Sequence, residues 1–182
     1  EYDARHGVPL ILRPEPDTSR PMTTLAYHTP LPEGTLRDLG IPAPWTFGLA
    51  DRVRFGELDA LGHVNHTAYL RWVESFRLPF LKARQVTDYG PNAPRLVLKE
   101  VTCTYLMEMG LGLDYVVTGR VSRFRNTSFT MEFGVWLPGE AATCTAQGRT
   151  IVVLLNRDGS GRYPIPDAGR DAFATLDGAV AD

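Results

Sequence analysis

The sequence predicts an α+β domain in which one long amphipathic helix packs against an antiparallel β-sheet. Three observations lead to this fold class. Only one long stretch, residues 65–84, has helical periodicity; one strand-like segment precedes it, and four strand-like segments follow it. Short turn-forming segments separate those four, so they should pair as antiparallel hairpins. The helix would then bury its apolar face against their sheet.

The first 44 residues are expected to be mostly irregular. They hold eight of the 14 prolines, and proline fixes φ and removes a backbone donor. Within them, Glu33–Leu39 is the stretch that suits a short helix. We therefore divide the chain into a proline-rich extension (1–44), a folded domain (45–166) and a C-terminal tail (167–182). The tail is expected to form a short helix starting after Asp167.

The first strand and the helix are read from their periodicities. Residues 46–55 alternate as a strand does, with Val53 and Phe55 on one face. In the helix, apolar residues recur at i, i+4, i+7 and i+11. This stripe consists of Tyr69, Val73, Phe76 and Phe80. Pro79 lies near the end of the helix and is expected to kink or weaken it.

The remaining strands are rich in β-branched and aromatic residues, which favour sheet. They are RLVLKEVTCTYLME (95–108), LDYVVTGRVSRFRN (113–126), SFTMEFGVWLP (128–138) and ATCTAQGRTIVVLLNRDG (142–159). In the third segment the apolar residues alternate with Thr130 and Glu132, which predicts one buried and one polar face.

Composition excludes several classes of function. A net charge of −2 argues against general nucleic-acid binding, which needs a basic excess. The 43% hydrophobic and 22% charged content is that of an ordinary globular protein. The sequence contains no run of 18 apolar residues, which a membrane span would need, and no recognisable signal peptide. A cytoplasmic location is therefore expected.

The two cysteines, Cys103 and Cys144, lie far apart in strand-like segments. Neither belongs to a CxxC or Cys/His pattern, so no zinc or other metal site is predicted. Buried free thiols are the simplest interpretation, and the sequence leaves a disulfide open.

The chemistry is concentrated in RFGELDALGHVNHTAYLRW, residues 54–72, where Asp59 lies just ahead of the predicted helix. A helix N-terminus offers unpaired N–H groups and a positive dipole end, which suit a developing oxyanion. Gly62 allows a tight turn and close backbone approach, and Asn65 is a suitable N-cap. A carboxylate placed there can attack a carbonyl or take a proton from water. The segment therefore places a candidate base or nucleophile beside a candidate oxyanion site at a helix start.

The same motif carries a family resemblance. VRFGELDALGHVNHTAYLRWVESFR, residues 53–77, closely resembles the signature of the 4-hydroxybenzoyl-CoA thioesterase family of hot-dog-fold enzymes. The likeness continues through the later strands and covers roughly residues 46–166, whereas residues 1–44 have no counterpart.

The resemblance implies a five-stranded antiparallel sheet wrapped around one long central helix. It also implies a homodimer, or a tetramer formed by two dimers, in which paired subunits join their sheets and share the active sites. The implied function is hydrolysis of an acyl-CoA ester to a free acid and CoA, with no cofactor beyond the CoA of the substrate. Asp59 matches the catalytic carboxylate of the family. The backbone N–H of His66, at the helix start formed with Val64 and Asn65, matches the group that contacts the thioester carbonyl in some members of the family.

The chain departs from the family at His66, where most members carry Asn. A histidine at this spacing from the aspartate also occurs in acyl-CoA thioesterases associated with the Tol–Pal system, so the imidazole is expected to assist catalysis. His63 and Tyr69 are candidate contacts of the substrate. The candidates for the nucleotide end of CoA are Arg123, Arg125, Asn126 and Ser128.

Three alternative functions follow from the same residues. Acyl-carrier-protein thioesterases carry Asn two residues after the aspartate, where this chain has Leu61. Hot-dog hydratases usually have a proline between their Asp and His, which residues 59–63 lack. A non-catalytic acyl-CoA-binding protein would keep the pocket without needing Asp59.

Overall fold

The structure is a computed structural model that describes residues 25–182; the expectation of an irregular segment at residues 1–24 lies outside them. The helices are α1 (Glu33–Asp38), α2 (His66–Ala83) and α3 (Asp167–Asp177). The strands are β1 (Pro30–Pro32), β2 (Phe47–Arg52), β3 (Arg95–Tyr105), β4 (Asp114–Phe124), β5 (Ser128–Leu137), β6 (Thr143–Leu155) and β7 (Val180–Ala181). A 3₁₀ turn covers Phe55–Glu57.

The described strands form one sheet in the order β1-β2-β4-β5-β6-β3, with β7 beside β4. All pairings are antiparallel except the parallel pairing of β7 with β4. The sheet thus has seven strands rather than the five expected. The five long strands are those predicted, whereas β1 and β7 have only three and two residues and carry no periodic signal.

Helix α2 begins where its cap residue predicts. The Asn65 side chain accepts a hydrogen bond from the Thr67 N–H at 2.9 Å, which satisfies a donor of the first turn. Helical structure continues through Pro79 to Ala83, so the proline does not end the helix. Pro79 lies in the last turns, where the fully buried Phe80 and Leu81 hold the backbone against the core.

The predicted apolar stripe of α2 is buried, as expected. It packs with the alternate residues of β5, Phe129, Met131, Phe133 and Val135, in one core. Helix α2 contacts β2 and β4. The packing of α2 on β4 depends on Gly119, because a Cβ there would lie 2.5 Å from Phe76 Cε1. This packing fixes the position of the helix start.

The strand expected over residues 46–55 is shorter than predicted. β2 ends at Arg52, and Val53 and Phe55 do not share a face, since Val53 is buried and Phe55 is 80% exposed. The chain bends because the Glu57 carboxylate accepts the Arg54 N–H at 2.8 Å and so caps the 3₁₀ turn. This bend directs the chain toward the loop that precedes α2.

Apolar side chains of residues 25–45 pack on the face of the sheet opposite α2. A second apolar cluster there joins Leu31, Leu36 and Ile41 to Val116 and Trp136. The expected short helix forms as α1, whereas the rest of the described extension is more ordered than an irregular segment, because β1 pairs with β2. Prolines are tolerated in β1 since it lies at the sheet edge.

The C-terminal helix predicted to start after Asp167 is present as α3, which begins at Asp167 itself. Its last residue, Asp177, is fully buried and forms an ion pair with the buried Arg84 at 2.6 Å. Asp177 also accepts the Val121 N–H of β4 at 3.0 Å. The tail is therefore fastened to both the end of α2 and the sheet.

Candidate active site

The loop between the 3₁₀ turn and α2 is closed by backbone hydrogen bonds. The Asp59 N–H donates to the His63 carbonyl at 2.8 Å, and the Gly62 N–H donates to the Asp59 carbonyl at 3.1 Å. At the base of the loop, the Asn65 N–H donates to the Glu57 carbonyl at 2.8 Å. These bonds hold Asp59 in a defined turn directly ahead of the helix.

The Asp59 carboxylate is itself part of this turn. Its Oδ1 atom accepts hydrogen bonds from the Leu61 N–H at 2.8 Å and the His63 N–H at 3.2 Å. The residue is exposed, and Oδ2 has no hydrogen-bond partner within residues 25–182. One carboxylate oxygen thus fixes the side chain, which leaves the other available for a substrate or water.

Gly62 has φ +78°, a left-handed conformation that side chains disfavour. A Cβ at this position would meet no atom within 4 Å. Within one chain, the turn therefore requires the glycine, whereas the close backbone approach expected from the sequence is not seen.

We expect Gly62→Ala to lower the free energy of unfolding by about 1–2 kcal/mol, the cost of a left-handed non-glycine residue. Gly56→Ala is the matched control, because Gly56 also has open space around its Cα but no positive φ. Urea unfolding of both variants measures the difference. Equal stability of the two variants would show that the turn relaxes without strain.

The backbone amides at the start of α2 are not equally available. The Val64 N–H donates to the Met109 carbonyl at 2.8 Å, the Asn65 N–H to Glu57, and the Thr67 N–H to the Asn65 side chain. Only the His66 N–H has no acceptor among the described residues. Of the predicted set, Val64 and Asn65 therefore have structural roles in this chain, and His66 keeps the unpaired donor.

A cavity of about 300 Å³ opens beside the first turn of α2. Its walls are Val64, His66, Tyr69, Tyr105, Leu106, Met107 and Glu108. Asp59 lies on the neighbouring loop rather than in the cavity wall. His63 links the two, since it bonds the Asp59 turn and places Nε2 3.4 Å from Glu108 Oε2. The predicted substrate contact Tyr69 lines the cavity, but its side chain is almost fully buried.

Tyr105 is a site residue that the sequence did not single out. Its hydroxyl donates to the His66 carbonyl at 3.1 Å, and its ring meets those of His66 and Tyr69 edge-on at 6.4 and 5.2 Å. Burial raises the pKa of both Tyr69 and Tyr105 to about 12, so both hydroxyls stay protonated at neutral pH. The sequence carries no sign of this contact, because it arises only from the position of β3 beside α2.

The residues predicted to bind the nucleotide end of CoA lie elsewhere in the chain. They are Arg123, Arg125, Asn126 and Ser128. They occupy the end of β4 and the following hairpin, roughly 35 Å along the strand from the end near Asp59. Both arginines are exposed and lie 3.4 and 3.7 Å from the Asp182 carboxylate, and Arg170 bonds Asn126. One chain alone does not bring them to the Asp59 loop.

Cys103 and Cys144 are both free and half-buried, and burial raises the pKa of each thiol. Within residues 25–182, no three His, Cys, Asp or Glu side chains come together as a metal site requires. In the same range, no helix is long and apolar enough to cross a membrane.

Known proteins resemble this chain in sequence and in fold. A profile of the Thioesterase-like superfamily matches residues 53–173. A thioesterase superfamily protein from Jannaschia sp. CCS1, whose crystal structure is known, is 75% identical in sequence to this chain. The two structures match with a TM-score of 0.85 over 87% of this chain and 99% of that one. A thioesterase from Thermus thermophilus, in complex with coenzyme A and zinc, is 28% identical (TM-score 0.58; 72% and 93% covered).

A 1,4-dihydroxy-2-naphthoyl-CoA thioesterase from Synechocystis shares the fold at 17% identity, with a TM-score of 0.60 over 71% of this chain and 96% of that one. No protein of curated function matches the sequence. The match to the superfamily profile covers most of the chain and includes the Asp59 loop, α2 and the strands β3 to β6. The chain belongs to the thioesterase-like superfamily.

Proposed function

We propose that this protein is an acyl-CoA thioesterase that releases a free acid and CoA. The observation that carries the proposal is the pairing of two groups at the start of α2. Asp59 has one carboxylate oxygen fixed by the turn and one available, and His66 carries the unpaired N–H of the first turn. A carboxylate and an oxyanion donor can together catalyse the hydrolysis of a thioester.

In the proposed reaction, the thioester carbonyl oxygen accepts the His66 N–H, and the positive end of α2 stabilises the negative charge that develops there. Asp59 either attacks the carbonyl carbon or takes a proton from the attacking water. The carbon–sulfur bond breaks, and the thiolate of CoA leaves and takes up the proton that water gives up. Where Asp59 has attacked, water then hydrolyses the mixed anhydride between the acyl group and Asp59, which releases the acid and restores the carboxylate. The His66 imidazole assists from the wall of the cavity.

Two comparisons support a CoA ester as the substrate. The Thermus thermophilus relative binds coenzyme A, and the Synechocystis protein of the same fold acts on a CoA thioester. The second candidate substrate is an acyl thioester of acyl carrier protein. Leu61 stands where thioesterases of that class have Asn, which favours the CoA ester.

We also propose that the outer edge of β3 pairs with a second copy of the chain. β3 is the last strand of the sheet, and its eleven residues are almost all exposed. Val97, Leu98 and Val101 are large apolar residues exposed on this edge by 38–42%. A long, apolar, unpaired edge is unfavourable unless it is covered.

Antiparallel pairing of two β3 edges would also explain the position of the predicted nucleotide-binding residues. The second copy would run in the opposite direction, so its Arg123–Ser128 hairpin would lie at the same end of the joined sheet as the first copy's Asp59. The active site would then use both subunits.

We expect sedimentation equilibrium to give a mass of at least two chains, and Val101→Lys to shift it toward one. A lysine in the middle of this edge would bring two like charges together across a two-fold pairing. Arg123→Lys, at the far end of β4, is the control and should leave the mass unchanged. A Val101→Lys protein with the wild-type mass would contradict pairing through this edge.

The enzymatic proposal is tested by incubating the protein with short, long and aromatic acyl-CoA esters and measuring the release of CoA thiol. A parallel assay with the same acyl group attached to acyl carrier protein shows which carrier the enzyme accepts. Turnover of at least one CoA ester is expected. Saturable binding of CoA esters without any thiol release would favour an acyl-CoA-binding protein instead.

A further inference from the structure

Glu57 accepts three hydrogen bonds around the Asp59 loop, two of them from α2 and its cap residue. Its Oε2 atom accepts the Arg54 N–H at 2.8 Å, and its Oε1 atom accepts the indole N–H of Trp72 at 2.7 Å. Its backbone carbonyl accepts the N–H of the cap residue Asn65 at 2.8 Å. Glu57 therefore contacts the chain before the loop, the chain after it and the second turn of the helix.

The partner of Glu57 on the helix is rigid. Trp72 is only 6% exposed, and its ring stacks on that of Tyr115 in β4 with centroids 3.9 Å apart. Tyr115 is itself 2% exposed. The Trp72 indole is thus a fixed point of the core, and the Glu57 bond transmits that fixed position to the loop.

The two side-chain bonds also explain why a carboxylate is needed. Both partners, the Arg54 amide and the Trp72 indole, are donors, and each takes a different oxygen. Glutamine has the same shape but only one acceptor oxygen, and its NH₂ group would face the other donor. Glu57→Gln must therefore lose one of the two bonds.

We propose that Glu57, held by Trp72, is a positioning residue that sets the location of the Asp59 carboxylate relative to the His66 N–H. For catalysis this inference rests on the proposed thioesterase function. Glu57 does not touch the reacting atoms; it acts through the backbone of the loop. Misplacement of a catalytic group by about 1 Å can cost roughly 100-fold in rate.

The kinetic test compares Glu57→Gln, Trp72→Phe and the double variant. We expect kcat to fall by roughly 10- to 100-fold in Glu57→Gln, with KM changed by less than about 3-fold. Trp72→Phe should lower kcat in the same direction. The double variant should be little worse than the more damaged single one, because both substitutions act on the same hydrogen-bond network around Glu57.

Trp136→Phe is the matched control. The Trp136 indole is also buried and donates one hydrogen bond of 2.8 Å, to Thr118 Oγ1, but it lies on the opposite face of the sheet. The Trp136→Phe variant should lose a similar amount of packing and one similar hydrogen bond, and its kcat should not change. An equal fall of kcat in this control would mean that general destabilisation, not loop position, is responsible.

A second readout does not depend on catalysis. The amides of Leu61 and His63 donate to Asp59 Oδ1, so their hydrogen exchange reports how well the turn is held. We expect faster exchange at both in Glu57→Gln and Trp72→Phe, and no change in Trp136→Phe. Unchanged exchange in both loop variants would overturn the proposal. If the wild type hydrolyses no thioester, the functional proposal fails, and exchange alone decides whether Glu57 positions the loop.

Discussion

Replacement of Asp59 by asparagine is expected to lower kcat for thioester hydrolysis by about 10²–10⁴-fold, the usual contribution of a positioned base. Asparagine keeps an Oδ1 atom that can accept the Leu61 and His63 amides, so the turn should survive. It removes the charge and the basicity that attack or proton transfer needs. Steady-state rates of thiol release, with circular dichroism and thermal unfolding, measure both effects.

Asp158→Asn is the matched control for this substitution. Asp158 is another exposed aspartate whose Oδ1 accepts a backbone amide two residues on, that of Ser160 at 2.9 Å. Asp158→Asn therefore removes the same charge from the same kind of turn, but at a position away from the start of α2. Full activity of Asp59→Asn, or equal losses in the two variants, would contradict the role of the Asp59 carboxylate.

The largest effect on stability is expected from Asp177→Ala, which should lower the free energy of unfolding by about 3–5 kcal/mol. Asp177 Oδ1 accepts two hydrogen bonds from Arg84, at 2.9 and 2.6 Å, and Oδ2 accepts the Val121 N–H. Truncation would leave a guanidinium, whose side chain is only 5% exposed, without its counter-charge. Urea unfolding measures the loss.

Glu132→Ala provides the comparison, because Glu132 pairs with Arg120 in a partly exposed position. Such pairs contribute at most about 1 kcal/mol, since solvent screens them and ordering two side chains costs entropy. Asp177→Ala should keep the wild-type kcat under conditions where it is folded. A loss no larger than that of Glu132→Ala would show that the buried pair is not a major anchor of α3.

The long elements of the fold could be predicted because their signals are local and repeated. The stripe from Tyr69 to Phe80 has helical period, and the Asn65 side chain marks the start of α2 by its own chemistry. β1 and β7 were missed because two or three residues cannot show a period. Phe55 was placed on the wrong face because the capping bond from Glu57, which bends the chain, was not foreseen.

The candidate site likewise has a part that the local sequence indicates and a part that it does not. The turn of Asp59 and the cap at Asn65 depend on bonds within a few residues, so the sequence indicates them. The Val64 N–H is not the unpaired amide because the Met109 carbonyl accepts it, and this leaves the His66 N–H as the unpaired donor. Met109 lies more than forty positions away in the chain, so the local sequence does not indicate this bond. The contact of Tyr105 with the helix start likewise depends on the placement of β3, which no local pattern encodes.

The most direct test of the proposed mechanism is single-turnover release of CoA thiol from the best acyl-CoA ester, with wild type and Asp59→Asn each in excess over substrate. Stoichiometric release by the wild type and release at least about 100-fold slower by the variant are predicted. A wild-type protein that binds the ester without releasing thiol, or a variant as fast as the wild type, would contradict a thioesterase that works through Asp59.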